Sequence, residues 1–195
     1  MLAYPLQLSF KIVAVAPQIA VTDASGALLL YVRQKLFKLR EAVTVFGDQA
    51  QTRPLYTIAA DRVLDFSARY HVATAAGEPV GVVQRQGMRS FWKAHYDVTR
   101  DGAPVLQLRE ENPWVKVLDG LFGEIPLLGM LSGYLFHPAY LATRPDGGPA
   151  LRVRKQAALW EGRYEITRLG ELSAEDEELG LLAVLMLLLL ERSRG

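Results

Sequence analysis

The feature that most constrains this chain is the run Leu179–Leu190 (LGLLAVLMLLLL), in which no residue carries a charged or polar side chain. A helix that is apolar around its whole circumference has no face that it can turn to water, so protein or lipid must enclose it. At about 1.5 Å per residue the run is about 18 Å long, well short of the roughly 30 Å hydrocarbon core of a bilayer. Protein is therefore the predicted surrounding. A membrane tail anchor is the alternative, but Glu191 ends the apolar run too early for one.

The residues on either side of this run have the pattern of helix ends. Ser173 can cap the first turn, and Asp176 stands at the third position, where a capping-box exchange would place an acceptor. Residues 175–178 are all acidic and complement the positive end of the helix dipole, while Arg192 and Arg194 complement the other end. The sequence thus predicts a helix over about 174–192.

An internal repeat occupies much of the chain before the helix. Three segments begin with Tyr, alternate in polarity, reach Thr, turn at Gly-x-Pro and leave as a second alternating stretch. Glycine supplies the positive φ of a tight turn, and proline is tolerated at the start of the returning strand. Each segment is therefore predicted to be a β-hairpin. The three are Tyr70–Gln86, Tyr96–Glu111 and Tyr140–Gln156.

Further alternating segments bring the predicted number of strands to twelve. The expected strands are 8–15, 18–23, 27–34, 41–46, 54–59, 66–75, 79–86, 91–99, 103–110, 134–143, 149–156 and 160–168. Twelve antiparallel strands that close on themselves leave no free edge and enclose more space than the side chains of the wall can fill. We therefore expect a mainly β fold, a closed antiparallel barrel around the central hydrophobic helix, as a single domain over 1–195.

Composition limits the functions that such a barrel can have. The formal net charge of +1 argues against a surface-wide field for nucleic acid, so charge-driven binding requires a local patch. The chain has no cysteine, which excludes disulfides, thiolate catalysis and cysteine-based zinc sites. Its first residues lack the basic start of a signal peptide and are interpreted as a strand. A cytoplasmic protein without a transmembrane span is expected.

The order of elements resembles the tubby-like superfamily, which includes the tubby C-terminal domain, the phospholipid scramblases and the LURP-one-related proteins. The similarity runs through the hairpins of Ile19–Arg168 and the apolar helix after them. Tyr31–Phe46 (YVRQKLFKLREAVTVF) and Phe66–Thr74 (FSARYHVAT) are most similar to the LURP-one-related members. The resemblance implies a twelve-stranded barrel around a central helix, and it implies anionic phospholipid headgroups as a ligand. The scramblase cysteines are absent, and residues 175–178 lack the spacing of a calcium loop.

Motifs for catalysis are missing from the sequence. It contains no nucleophile elbow, P-loop, dinucleotide-binding motif or His-Glu-x-x-His zinc motif. His71, His95 and His137 each lie in or close to a repeat, so the repetition explains their positions better than a shared metal does. We therefore predict no enzymatic activity, no cofactor and no metal.

A basic cluster is the best candidate for a binding site. Arg33, Lys35, Lys38 and Arg40 fall within eight positions of a nearly neutral chain. On a regular strand Arg33 and Lys35 share one face, and Lys38 and Arg40 share the other, unless a bulge resets the register. Two interpretations remain at this stage: a solvated strand face, or a site for anionic lipid or phosphate.

A second candidate surface is the apolar segment Leu121–Phe136, which is interrupted by glycine and proline. It can pack across a barrel mouth, dip into a membrane or bind a protein partner. The favoured function is accordingly a non-enzymatic ligand-binding or peripheral membrane module for anionic phospholipid. The alternative is an intracellular scaffold that binds a protein partner through residues 121–136.

Overall fold

A computed structural model describes residues 2–11, 18–33, 42–61, 68–86, 95–111, 139–156 and 161–192. In this part of the chain there are twelve strands and one helix. They are β1 (Leu6–Lys11), β2 (Gln18–Thr22), β3 (Leu28–Arg33), β4 (Val43–Phe46), β5 (Pro54–Ala60), β6 (Arg69–Thr74), β7 (Pro79–Arg85), β8 (His95–Arg100), β9 (Ala103–Glu110), β10 (Ala139–Thr143), β11 (Pro149–Gln156), β12 (Glu161–Arg168) and α1 (Ala174–Arg192).

The strands form one closed antiparallel barrel. Each strand pairs with the next one along the chain, and β12 pairs with β1 to close the sheet. Along β1, Leu6, Leu8 and Phe10 are buried, and the residues between them are partly exposed. This alternation follows from the pleat, which turns successive side chains to opposite faces of the sheet. The predicted fold, a mainly β barrel of twelve antiparallel strands around a hydrophobic helix, is confirmed.

The helix lies in the barrel interior. All twelve residues of Leu179–Leu190 are buried. A Cβ added at Gly81 of β7 would lie 2.6 Å from the Leu179 side chain, and one added at Gly180 would lie 2.8 Å from Leu106 of β9. The two glycines therefore let the helix and the wall approach each other closely. Across the described ranges, no helix has both the length and the apolarity needed to cross a membrane.

The hairpin turns show how the Gly-x-Pro repeat works. Asp101 and Gly102, both with positive φ, form the whole connection between β8 and β9. Positive φ at both central residues is typical of a type I′ turn, whose twist matches that of the flanking strands. Pro104 lies opposite Thr99, where the register shifts. Such an irregularity accommodates a residue that cannot donate to the ladder. The same shift lies opposite Pro79 and Pro149.

The two ends of the barrel differ. We call one the turn end: it comprises residues 23–27, 47–53, 75–78, 100–102, 144–148 and 168–178. The other we call the mouth: it is where β1, β3, β5, β7, β9 and β11 end and where the following strands begin. The helix starts at the turn end and runs toward the mouth. Connections of two to seven residues join the strands at the turn end, and those at the mouth have from four residues, between β11 and β12, to 28 residues, between β9 and β10.

Arginines of the even-numbered strands hold the start of the helix. Arg100 of β8 pairs with Asp176 at 2.9 Å, and Arg168 of β12 pairs with the buried Glu177 at 3.2 Å. Ser173 caps the helix as predicted, because its Oγ accepts a hydrogen bond from the backbone N–H of Asp176 at 3.1 Å. The Asp176 carboxylate pairs with a strand arginine, a partner that the capping-box interpretation did not include. The acidic start of the helix thus links the helix to the wall as well as complementing its dipole.

A fourth copy of the repeat begins at Tyr164. The residues Tyr164–Arg168 (YEITR) match Tyr96–Arg100 (YDVTR) and Tyr140–Arg144 (YLATR). The arginine four places after each tyrosine reaches the same region, since Arg144 donates to the Glu171 carbonyl at 3.0 Å. The acidic start of the helix also affects a nearby phenol. Burial raises the pKa of Tyr56 to about 12, and a hydrogen bond to Glu178 contributes to the rise.

The buried helix leads to a first prediction. Leu185→Asp should prevent folding, because an unpaired carboxylate placed among apolar neighbours costs several kcal/mol. Removing the chain from Leu179 onward should have the same effect. Circular dichroism and thermal unfolding measure the outcome, with Ala174→Asp at the exposed start of the helix as the matched control. A folded truncation with unchanged strand content would contradict the buried-helix account.

The ion pair between Arg168 and Glu177 leads to a second prediction. Arg168→Met should destabilise the barrel by about 3 kcal/mol, because it leaves a buried carboxylate without its cation. For a chain of this size that corresponds to a fall in Tm of about 6–12 °C. Adding Glu177→Gln should restore most of the loss, since the charge is then gone. A single variant with an unchanged Tm would show that the pair does not secure the helix.

The turn geometry leads to a third prediction. Gly102 has φ +79 and open space around its Cα, so a valine there would be strained by the backbone alone. Gly102→Val should therefore cost about 1–3 kcal/mol and lower the Tm. Ala103→Val, one residue on in an exposed strand position, is the control and should change the Tm little. Equal effects of the two substitutions would mean that positive φ is unimportant at this turn.

Candidate functional site

The first residue of the predicted basic cluster lies at the mouth. Arg33 is the last residue of β3 and is exposed, whereas its neighbour Val32 is buried in the core. Because side chains alternate along a strand, Arg33 points away from the barrel interior. Lys35, Lys38 and Arg40 lie outside the described residues, so their grouping with Arg33 stays a prediction. The apolar segment 121–136 also lies outside them.

The sheet register brings a second cation next to Arg33. Lys11 of β1 pairs with Gln18 of β2, and Gln18 pairs with Arg33 of β3. These three residues form what we call the rim row. Neighbouring strands are about 4.8 Å apart, so the backbones of Lys11 and Arg33 are about 10 Å apart. The buried residues beside them, Phe10 and Val32, show that the row faces outward.

The chemistry of the rim row is that of an anion site. Lys11 and Arg33 are exposed, and both have long side chains that can converge on one phosphate from either side. The Gln18 amide between them can donate hydrogen bonds. On the other side of β1, Lys11 pairs with Glu161 of β12, which lies next to the rim row. The cationic part of the row is therefore the side toward β3 and the basic sequence after it.

Lys11 was missed by the analysis of the sequence. It is far from Arg33 along the chain and stands alone in an apolar stretch, so local charge density did not single it out. The signal that could have found it is pairing: two consecutive hairpins with known register place the end of β1 in line with the end of β3.

A further cation faces the inside of the mouth. Arg85 ends β7 on the same side of the strand as the buried Val83. Its Nε is buried, with no hydrogen-bond partner within the described structure. Burial raises the pKa of the neighbouring Tyr70 phenol, while the charge of Arg85 lowers it and that of Asp61 raises it. Tyr70 therefore stays neutral at physiological pH, and Arg85 carries a positive charge at the inner edge of the mouth.

Charge is distributed unequally between the turn end and the rest of the chain. The turn end carries ten carboxylates and four arginines, a net charge of −6. The whole chain has 22 basic and 21 acidic residues, which leaves 18 basic and 11 acidic for the rest, a net charge of +7. The near-neutral total conceals this separation. The turn-end carboxylates belong to Asp23, Asp48, Glu78, Asp101, Asp146, Glu171, Glu175, Asp176, Glu177 and Glu178, and the arginines are Arg53, Arg100, Arg144 and Arg168.

The described residues do not assemble a metal site. Among them, no group of three or more His, Asp or Glu side chains could hold an ion. His95 is on β8 and lies 3.5 Å from Asp97, whereas His71 is exposed on β6. The two histidines are therefore on different strands. The predicted absence of catalysis and of metal stays a prediction. The geometry on the outer rim favours binding of anions.

A family model described as LURP-one-related matches residues 28–122. The match covers 95 of the 195 residues of the chain. The family is part of the tubby-like superfamily, so the resemblance predicted from the order of elements is confirmed. The LURP-one-related match begins in β3 and extends past β9, and it includes Arg33, Lys35, Lys38 and Arg40. Lys11, at the other end of the rim row, precedes it.

The chain is also similar to a solved structure, an X-ray structure of a protein from Arabidopsis thaliana. The two are 14% identical in sequence, with a TM-score of 0.49, and the alignment covers 97% of this chain and 93% of the other. No curated protein matches the chain at a significant level.

Proposed function

We propose that this LURP-one-related barrel is a non-enzymatic module that binds anionic phospholipid headgroups at a membrane surface. The observation that carries the proposal is the rim row, in which Lys11 and Arg33 flank an amide on the outer edge of the mouth. Past Arg33 the chain continues through Lys35, Lys38 and Arg40 before it returns to β4 at the same end.

The size of the expected interaction fits reversible attachment. Near an anionic membrane each Lys or Arg contributes about 1 kcal/mol, so these five cations would contribute up to about 5 kcal/mol. That is weak binding, and it should weaken further with salt, because the Debye length falls from about 30 Å at 0.01 M to about 10 Å at 0.1 M. The cytoplasmic leaflet, which holds the anionic lipids, is the proposed surface.

A second candidate function uses the apolar segment 121–136. The segment lies between β9 and β10, and these strands end and begin at the mouth. Its apolar side chains could enter a bilayer beside the cations, or they could bind a protein partner in an intracellular scaffold. Sedimentation with vesicles that lack anionic lipid separates the two contributions, since an apolar contact does not require negative charge.

Substitution of the cations tests the proposal. Lys11→Gln with Arg33→Gln should lower retention on phosphatidylserine vesicles at low salt about tenfold or more, and changing all five cations should abolish it. Comparing the Lys35→Gln variant with a double variant that carries Lys38→Gln and Arg40→Gln shows which face of the cluster contributes. The matched control is Arg53→Gln with Arg144→Gln, two arginines of the turn end, with thermal unfolding to show that both double variants are folded.

The control removes the same charge from another part of the barrel, so it should change retention far less. Equal losses in the two double variants would show that overall charge, and not the rim row, determines binding. A wild-type protein that fails to sediment with phosphatidylserine or phosphoinositide vesicles at low ionic strength would contradict the lipid proposal. The scaffold function would then be the better account.

A further inference from the structure

We infer that the barrel docks upright on an anionic membrane, with its mouth against the lipid, its helix along the membrane normal and its turn end farthest from the surface. The inference rests on the proposed function and adds an orientation to it. Two observations carry it: the charge separation along the axis and the position of the rim row at the end opposite the acidic turns.

The acidic turns form a fixed negative end. Two of the four arginines there are engaged with the helix start, Arg100 with Asp176 and Arg168 with Glu177. Arg144 pairs with Asp146 at 3.4 Å, and most of the other turn-end carboxylates have no ion pair among the described residues. Some of them lie in hairpin turns and the others lie just before or in the first turns of the helix, so all are fixed at this end of the barrel.

The turn carboxylates also stay ionised. A hydrogen bond from the Ser25 side chain lowers the pKa of Asp23, and one from the Thr52 backbone N–H lowers that of Asp48. A backbone N–H, that of Gly148, likewise lowers the pKa of Asp146. Because each of these three groups is stabilised as a carboxylate, the three keep their negative charge at neutral and mildly acidic pH.

The distance between the two ends explains why the separation of charge favours one orientation on the membrane. A strand of six residues such as Leu28–Arg33 is about 20 Å long, so at a tilt of about 40° the turn end is about 15 Å from the mouth along the axis. At physiological salt the Debye length is about 8 Å, so carboxylates at that distance are screened from an anionic surface. An inverted barrel would bring the turn-end carboxylates within reach of the lipid charge, and a side-on barrel would do so for the carboxylates on the side that faces the membrane.

Single-cysteine labelling tests the orientation directly, because the chain has no cysteine of its own. Ala42→Cys places a fluorophore at the mouth, just before β4, and Ala76→Cys places one in the turn between β6 and β7. Both alanines are exposed, so the variants are matched. Vesicles of phosphatidylcholine and phosphatidylserine with a headgroup-level nitroxide quencher report which label is near the surface. The bound fraction of each protein is measured by sedimentation.

At equal bound fraction, the label at residue 42 should be quenched several-fold more than the label at residue 76. Equal quenching would mean side-on docking, and stronger quenching at residue 76 would mean inverted docking; either overturns the orientation while leaving membrane binding in place. Failure of both labelled proteins to bind would overturn the proposed function and the orientation together.

A charge variant tests the stated cause. Glu171→Lys with Glu175→Lys changes two exposed residues of the turn end and makes its net charge less negative by four units. The difference in quenching between the two labels should shrink in this background, because the turn end is no longer strongly repelled. Thermal unfolding confirms that the variant is folded. An unchanged difference in quenching would show that charge at the turn end does not orient the barrel.

Discussion

The structure depends on the burial of one helix on every face. Each fully buried leucine stabilises the fold by about 1.5–3 kcal/mol, and all twelve residues of Leu179–Leu190 are buried. A wall that closes on itself encloses such a helix completely, and twelve strands make an interior wide enough to hold it. Gly81 and Gly180 show the same constraint in detail, because a Cβ at either would collide with the opposing leucine side chain. The inner side chains of the barrel wall and the side chains of the helix therefore form one hydrophobic core.

Enclosing the helix makes the two ends of the barrel chemically different. At the turn end, Arg100 and Arg168 pair with the acidic first turns of the helix, and two-residue or slightly longer turns close the wall. At the mouth the longer connections begin, and the rim row places Lys11 and Arg33 on the outer edge. The contacts that hold the start of the helix and the proposed binding surface are thus at opposite ends. The LURP-one-related match covers β3 to β9, while the binding proposal rests on the local placement of charge.

The sequence predicted the fold better than the site, for a physical reason. Alternation, turns and the apolar helix are local patterns, and a closed barrel of neighbouring hairpins needs little else. The site depends on register, which aligns Lys11 with Arg33 although they are far apart in the chain. The Asp176 carboxylate shows the same limit, because a local capping pattern could not reveal its partner Arg100. The axial separation of charge likewise becomes visible only when the turns are assigned to one end.

The measurement that tests the central claim most directly is a titration with short-chain phosphatidylserine below its micelle concentration, followed by backbone amide shifts in heteronuclear NMR. If the mouth binds the headgroup, shift changes should concentrate at Lys11, Gln18 and Arg33 and saturate together. They should be small at Glu78 and Asp101 of the turn end, and phosphatidylcholine of the same chain length should produce little change. Saturable shifts centred on the turn end, or equal shifts with both lipids, would contradict an anionic headgroup site at the mouth.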